Sequence, residues 1–246
     1  MMWRWLRSKV KNDRFKEWQR QNPTRPFKDF FAESVVSKLA QGKAHKSLGG
    51  NLRDGMFGLS GQKTFKRLTR YGLKPTDRCV DYGCGTLRIG IHAINHLGPG
   101  LYWGMDISEA LLQEGRTLIG ETLWKKKQPQ LRVISAETVA EVAAIKPTML
   151  FSIKVMIHVH PDELPEYIRN IMTIIGTSGQ AIVIGKWSNQ ETLKIGELSW
   201  LHAASRVGDI VSANGGCMEI LTEEERERAG FGENSKFGAL RFAHVS

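Results

Sequence analysis

The sequence predicts an α/β fold in which a mostly parallel, doubly wound sheet follows a basic N-terminal arm. Short apolar segments alternate with longer amphipathic segments, which is the pattern of right-handed βαβ units. A glycine turn, "DYGCG" at 81–85, joins a strand to a helix. The positive charge lies at the N-terminus: residues 1–76 hold 18 lysines and arginines against 5 acidic residues, and residues 77–246 hold 17 against 20.

The arm is predicted to contain a helix, because several apolar residues fall near helical spacing with cations between them: Trp3, Trp5, Leu6, Val10, Phe15 and Trp18. Asn22–Pro23 and Arg25–Pro26 interrupt any helix, because a residue before proline is pushed out of the helical region. Residues 1–25 could bind an anionic membrane surface or RNA. A solvated arm and a helix packed over the main domain are the alternatives.

A helix with Phe65, Leu68 and Tyr71 on one face ends at Gly72. The strands of the sheet follow: "RCVDYG", "LYWGMDI", "LRVIS", "TMLFSI" and "QAIVIGKW". The helices between them are predicted from about Leu87 to His96, from about Ser108 to Trp124, from near Glu137 and after "HPDEL". At the C-terminus, "MEILTEEERERAGFG" predicts an acidic helix before Gly230, and a final alternating strand adds an antiparallel edge.

Composition excludes several classes of protein. The 246 residues are 41% hydrophobic and 24% charged, and the longest apolar runs fall short of the ~20 residues of a membrane span. The N-terminus does not read as a secretory signal, so we expect a cytoplasmic protein, with peripheral membrane attachment as the alternative. Three cysteines in no CxxC pair favour neither a disulfide framework nor a metal site. His92 and His96 have metal-like spacing but no third ligand, which favours a packed helix face.

The glycine turn indicates the ligand class. Gly83 and Gly85 fit the first two places of a dinucleotide fingerprint, but Arg88 stands in the third, which argues against that ligand. Asp81 suits a cationic partner such as an amino or sulfonium group. Asp106, at the end of the next strand, can accept hydrogen bonds from two ribose hydroxyls. A nucleoside joined to an amino acid describes S-adenosylmethionine.

These segments resemble a known family. "VDYGCGTLRIG" and "YWGMDIS" are similar to motifs I and II of the class I S-adenosylmethionine-dependent methyltransferases. "LFSIKVMIHVHPDEL" is similar to the family's fourth-strand segment, and "TEEERERAGF" to its helix before the last strands. The resemblance covers about residues 60–245. It implies a Rossmann-like sheet of seven strands in a methyltransferase domain at 59–246, after an arm at 1–58. One departure is Leu87, where the common family loop has a glycine.

The resemblance also implies cofactor contacts at the methionine end, the ribose and adenine, the adenine amino group, and the end of the fourth strand. The corresponding residues are Asp81, Gly83, Cys84 and Gly85; Asp106 and Ile107; Glu137; and Ser152, Ile153 and Lys154. His158 and His160 are the catalytic candidates, because an imidazole can remove a proton from a hydroxyl acceptor. A structural role is the alternative for either histidine. We expect contacts with the methyl acceptor from the arm and from a later segment of the chain. The candidates in that later segment are Trp187, Trp200, His202 and Arg206.

The predicted function is therefore S-adenosylmethionine-dependent methyl transfer to a small-molecule or sugar acceptor, with O-methylation favoured. One alternative is an RNA methyltransferase that uses the basic arm. The other is a binding protein that keeps the fold without turnover, for which Leu87 is the support.

Overall fold

The computed structural model describes residues 14–41, 56–224 and 235–245 of the chain. Helices lie on both faces of a central sheet of seven strands, and a separate two-stranded hairpin stands beside it. The helices are Arg14–Gln21 (α1), Phe27–Ala40 (α2), Met56–Arg70 (α3), Gly90–His96 (α4), Glu109–Ile119 (α5), Glu121–Lys127 (α6), Ala136–Ala144 (α7), Leu164–Ile175 (α8) and Ala204–Ala213 (α9). The strands are Cys79–Tyr82 (β1), Tyr102–Asp106 (β2), Gln130–Val133 (β3), Met149–Ile153 (β4), Gln180–Ser188 (β5), Leu193–Gly196 (β6), Ser199–Leu201 (β7), Gly216–Glu224 (β8) and Ser235–His244 (β9).

The strand order in the large sheet is β3-β2-β1-β4-β5-β9-β8. The first five strands in this order are parallel, and the C-terminal strand β9 pairs antiparallel with both β5 and β8. The predicted doubly wound sheet with an antiparallel C-terminal strand is confirmed. Because the chain moves outward in opposite directions from β1 and from β4, a crevice opens at the carboxyl ends of these two strands.

Both faces of the sheet are buried, which explains why the central strands are continuous apolar runs without polar alternation. One core cluster joins alternate strand residues such as Val80 and Leu150 to α7, α8 and α9. The other joins residues such as Cys79 and Phe151 to α3, α4 and α5. All four strand residues named here are completely buried. The helices are thereby held in fixed positions around the crevice.

Two predicted helices differ from the structure in their limits. The helix predicted from about Ser108 to Trp124 is two helices, because Gly120 between α5 and α6 has a φ of +78°. The helix predicted to begin near Leu87 begins at Gly90. The predicted helix before the final strand is wrong over its first part, because residues 218–224 belong to β8 and pair with β9. Long-range pairing there overrides the local preference of the glutamates for helix. Residues 225–234 lie outside the described residues.

The described part of the arm is helical and packs on the main domain, as one interpretation of the sequence predicted. Helix α1 ends at Gln21 and α2 begins at Phe27, so both proline dipeptides interrupt the helix as expected. Phe27 and Phe30 of α2 are buried against Trp200 of the hairpin, with Phe15 and Trp18 of α1 packed around them. Residues 1–13 lie outside the described residues. The predicted domain boundary between residues 58 and 59 falls inside α3.

None of the helices in the described ranges is long and apolar enough to cross a membrane.

Candidate functional site

The crevice at the carboxyl ends of β1 and β4 is floored by the glycine turn. Gly83 and Gly85 have φ values of +84° and +54°, which a glycine adopts without a steric penalty. A Cβ atom on Gly83 would lie 2.3 Å from Cγ2 of Val155, so the position also lacks room for any side chain. The backbone N–H groups of Gly83 and Cys84 donate to the carbonyl oxygen of Met105 on β2. The turn is therefore held rigidly between two strands.

Leu87 lies in the turn in a backbone conformation that favours glycine. Its φ is +63°, in the left-handed region, although leucine is disfavoured there. The side chain is completely buried, and Cβ atoms on Gly90 and Gly115 would lie 3.0 and 2.8 Å from its atoms. These two glycines leave the space that the leucine fills. Burial of the side chain offsets the backbone strain, so the turn accommodates a left-handed leucine at this position.

Asp81 is buried at the end of β1 beside the turn. The Tyr102 hydroxyl donates to its Oδ2 at 2.8 Å. Burial raises the pKa of Asp81 to about 7, although the hydrogen bond from Tyr102 and the charge of Arg88 favour the ionised form. Arg88, which sequence reasoning treated only as a misfit, lines the crevice near this carboxyl group. A carboxyl group poised in this way gains from a positively charged ligand.

Asp106 ends β2 and is tied to the same loop. Its Oδ2 accepts from the Gly85 backbone N–H at 2.8 Å, and its Oδ1 accepts from the Ser108 N–H at 3.1 Å. Burial raises the pKa of Asp106 to about 6, while these backbone hydrogen bonds lower it. Each carboxylate oxygen can accept a second hydrogen bond. Asp106 therefore holds the loop in place, and its carboxylate oxygens can still accept hydrogen bonds from a ligand in the crevice.

The other residues predicted to bind the cofactor fall into two groups. Ile107, Ile153 and Lys154 line the crevice together with Asp81, Asp106 and the glycine turn. Ser152 is completely buried behind the wall, where its hydroxyl donates to the Tyr82 carbonyl. Glu137 is exposed in the first turn of α7, outside the crevice lining, and a hydrogen bond to Ser135 lowers its pKa. The structure thus brings all the predicted cofactor residues together except these two.

His158 lies on the short 3-10 turn after β4 and lines the crevice. Its Nδ1 lies 2.8 Å from the Leu198 carbonyl oxygen and 3.2 Å from Oγ of Ser199. Because a carbonyl oxygen only accepts, Nδ1 carries the proton and Nε2 is the basic nitrogen of the neutral ring. Burial lowers the pKa of His158. The histidine is therefore oriented and kept neutral.

His160 takes no part in the crevice lining. Its ring lies 5.1 Å from Trp200 and 5.4 Å from Phe27, between the arm and the hairpin. Of the two catalytic candidates, only His158 reaches the crevice, because the 3-10 turn directs the two histidines apart. Four further residues predicted to contact the methyl acceptor also lie outside the crevice lining: Trp187, Trp200, His202 and Arg206. Trp187 and His202 are completely buried, so they support the crevice from behind.

A further wall of the crevice is built by α2 and α8; sequence reasoning expected acceptor contacts from the arm, but it named none of these residues. Lys28, Phe31 and Val35 share one face of α2, and four residues of α8 and its N-terminal flank complete the wall: Glu163, Glu166, Tyr167 and Asn170. Helical spacing could have placed the three α2 residues on one face. Only the tertiary structure shows that this face meets the crevice.

The described ranges contain no group of three or more histidine, cysteine or acidic side chains arranged to hold a metal ion.

Comparison with known proteins gives the family of the fold. No protein-family model matches the chain, and a search of curated proteins finds no match either. Solved structures do match over nearly the whole length. An S-adenosylmethionine-dependent methyltransferase from Anabaena variabilis is 10% identical with a TM-score of 0.63, covering 90% of this chain and 96% of that one.

Two further structures are similar. The geranyl diphosphate C-methyltransferase of Streptomyces coelicolor, solved with S-adenosylhomocysteine, is 12% identical with a TM-score of 0.61 and covers 91% and 99% of the two chains. The magnesium protoporphyrin IX methyltransferase of Synechocystis, also with S-adenosylhomocysteine, is 17% identical with a TM-score of 0.59 and covers 89% and 98%. The chain therefore has the class I methyltransferase fold that its motifs predict.

Proposed function

We propose that the protein is an S-adenosylmethionine-dependent methyltransferase that acts on a small molecule, with an oxygen atom as the favoured methyl acceptor. One observation carries this proposal: the glycine turn, Asp81 and Asp106 converge on a single crevice at the switch point of a methyltransferase fold. The neighbours with this fold act on acceptors as different as a porphyrin and a prenyl diphosphate. The acceptor must therefore be read from the crevice itself.

The residues present fit the cofactor at each of its parts. Asp106 would accept from the ribose hydroxyls, and Ile107 beside it would pack on the adenine. Asp81 would compensate the amino group or the sulfonium, and Arg88 would pair with the carboxylate. Gly83 and Cys84 would line the methionine portion, and a side chain at Gly83 would collide with Val155 of the crevice wall.

His158 is the proposed base. When bound, S-adenosylmethionine would supply a methyl group on a cationic sulfur, and transfer of that group to the acceptor oxygen would leave S-adenosylhomocysteine as the neutral thioether. Nε2 of His158 would take the hydroxyl proton of the acceptor, and the Leu198 carbonyl would stabilise the imidazolium through Nδ1. Positioning of the acceptor against the methyl group would supply most of the remaining rate enhancement.

Calorimetric titration with S-adenosylmethionine, S-adenosylhomocysteine and NAD tests the proposal. We expect the wild type to bind the two sulfur nucleosides and not NAD. The Asp106→Asn variant should bind them about tenfold to a hundredfold more weakly, since hydrogen bonds to a charged group contribute about 1.5–3 kcal/mol each.

The matched control is Glu109→Gln, which removes a neighbouring exposed carboxylate that does not line the crevice. Its affinity should equal that of the wild type. Failure of the wild type to bind either sulfur nucleoside would reject the methyltransferase proposal.

A further inference from the structure

The half of the crevice beyond the glycine turn is available for the acceptor, and its chemistry restricts what can bind there. This half is formed by α2, α8 and the turn that carries His158. On the proposed function, the cofactor occupies the other half, next to Asp81 and Asp106. Phe31, Val35, Val155 and Val159 give the acceptor half an apolar surface.

The charged side chains of this half are already compensated within the protein. Nζ of Lys28 lies 3.0 Å from Oε1 of Glu166. Oε1 of Glu163 accepts from the Lys28 backbone N–H at 3.1 Å, at the first turn of α2. A carboxylate or phosphate on the acceptor would have to share Lys28 with Glu166. A cationic acceptor would have to compete with Lys28 and with the N-terminus of α2.

The uncharged polar groups are largely engaged as well. Asn170 donates to the Tyr82 hydroxyl at 3.0 Å, and the Tyr167 hydroxyl donates to Oγ of Ser152 at 2.8 Å. A buried hydroxyl without a partner costs about 1–3 kcal/mol. A sugar brings several hydroxyl groups into the crevice, and each that turned to Asn170 or Tyr167 would have to compete with these internal hydrogen bonds. The basic Nε2 of His158 suits a single hydroxyl.

Phe31 connects the wall to the proposed base. Its ring centroid lies 5.1 Å from that of His158, at an angle of 33° between the ring planes. An acceptor whose hydroxyl reaches His158 would therefore lie near the Phe31 ring, since both side chains line the crevice. An apolar ring on the acceptor would gain both buried area and aromatic contact there.

We propose that the acceptor half binds a neutral, largely apolar molecule with a ring and a hydroxyl group, and that Phe31 of α2 is a residue that determines this specificity. This inference rests on the proposed function and narrows it. It favours a hydroxylated apolar ring over the sugar acceptor that the sequence left open.

The test uses protein saturated with S-adenosylhomocysteine, so that only the acceptor half is free. The probes are 2-naphthol, its carboxylate analogue 2-naphthoate, and methyl glucoside, each titrated by calorimetry. We expect 2-naphthol to bind at least about fivefold more tightly than the other two, because one uncompensated buried polar group weakens binding about fivefold to a hundredfold.

Variants of α2 test the role of Phe31. Phe31→Ala should weaken 2-naphthol binding about tenfold, the equivalent of one aromatic contact, and Phe31→Leu should weaken it less. Val36→Ala, on the same helix but outside the crevice lining, should leave it unchanged. All three variants should bind S-adenosylhomocysteine like the wild type, which shows that they are folded.

Three results would overturn the inference: no binding of 2-naphthol, equal or tighter binding of either other probe, or equal effects of Phe31→Ala and Val36→Ala. In each case S-adenosylhomocysteine still binds. A wild type that does not bind S-adenosylhomocysteine rejects the proposed function instead, and the inference with it.

Discussion

Asp81 shows how a single buried carboxyl group couples folding to pH. Its pKa in the folded protein is about 7, above the ordinary value of 3.8. The folded state therefore binds this proton more tightly than the unfolded chain. The resulting stability is fully present below the ordinary pKa and is lost as the pH rises through about 7. Asp106, with a pKa raised to about 6, acts in the same direction.

We predict that the melting temperature of the ligand-free protein falls as the pH is raised from about 5 to about 8, and that Asp81→Asn reduces this slope. Asparagine stays neutral and can still accept from Tyr102. Thermal unfolding at a series of pH values measures the effect. Asp209→Asn, which changes an exposed carboxylate on α9, should keep the wild-type slope. An unchanged slope in Asp81→Asn would contradict the prediction.

At Leu87, backbone strain lowers the free energy of unfolding and burial of the side chain raises it. The relative magnitudes decide which effect dominates. A left-handed conformation costs a leucine about 1–2 kcal/mol. Loss of a fully buried leucine side chain costs about 2–5 kcal/mol. We therefore predict that Leu87→Gly destabilises the protein by up to about 4 kcal/mol, although it restores the common family residue.

Denaturant unfolding measures this change. Lys146→Gly is the matched control, because Lys146 also has a positive φ, +52°, but is exposed. That variant should change stability by no more than about 1 kcal/mol, since little side-chain burial is lost. A stabilising effect of Leu87→Gly would show that strain, not packing, dominates at this position.

Helix α2 is held in position by a residue from another part of the chain. Its N-cap residue is Pro26, which makes no side-chain cap hydrogen bond. The Glu163 carboxylate caps the helix instead, because it accepts hydrogen bonds from the backbone N–H groups of Lys28 and Phe27. Burial raises the pKa of Glu163 despite these bonds. The main domain thus holds the first turn of the helix that faces the crevice.

We predict that Glu163→Ala speeds hydrogen exchange in the first turns of α2, because loss of a helix cap costs about 0.5–2 kcal/mol. Mass spectrometry of exchange in the 27–40 segment measures this. Asp209→Asn again provides the control, with wild-type exchange expected. If α2 exchanges equally in both variants, Glu163 does not position the helix.

For the whole molecule, the question is whether the arm belongs to the folded domain. Phe27, Phe30 and Val35 of α2 are each at most 4% exposed, although they lie in the segment that carries the basic surplus. The aromatic side chains of Phe15 and Trp18 pack inward on the same cluster, so they face the protein instead of a lipid surface. These contacts favour the packed helix among the interpretations of the arm.

We predict that deletion of residues 1–40 lowers the melting temperature strongly, since burial of one large apolar side chain contributes about 1.5–3 kcal/mol. Deletion of residues 1–13 should leave it nearly unchanged. Equal melting temperatures for the two deletions would show that α2 contributes nothing to the domain. Binding of RNA or anionic vesicles through residues 1–25 remains a prediction, and the shorter deletion tests it by removing four of the cations.

The sequence by itself determined the features that local pattern controls. The spacing of Gly83 and Gly85, the carboxylates at the ends of β1 and β2, and the alternation of apolar segments are readable without coordinates, because turn geometry and side-chain period act over a few residues. They were sufficient to predict the sheet and its crevice, and most of the residues predicted to bind the cofactor line that crevice.

Only the tertiary structure decided the features that join distant parts of the chain. It placed Phe31 of the arm against His158, assigned residues 218–224 to a strand, and turned His160 away from the crevice. Each of these depends on contacts between segments far apart in sequence, whose free energy exceeds the local preferences on which sequence reasoning relies. The acceptor half of the site is made of such contacts, and therefore it emerged only from the folded molecule.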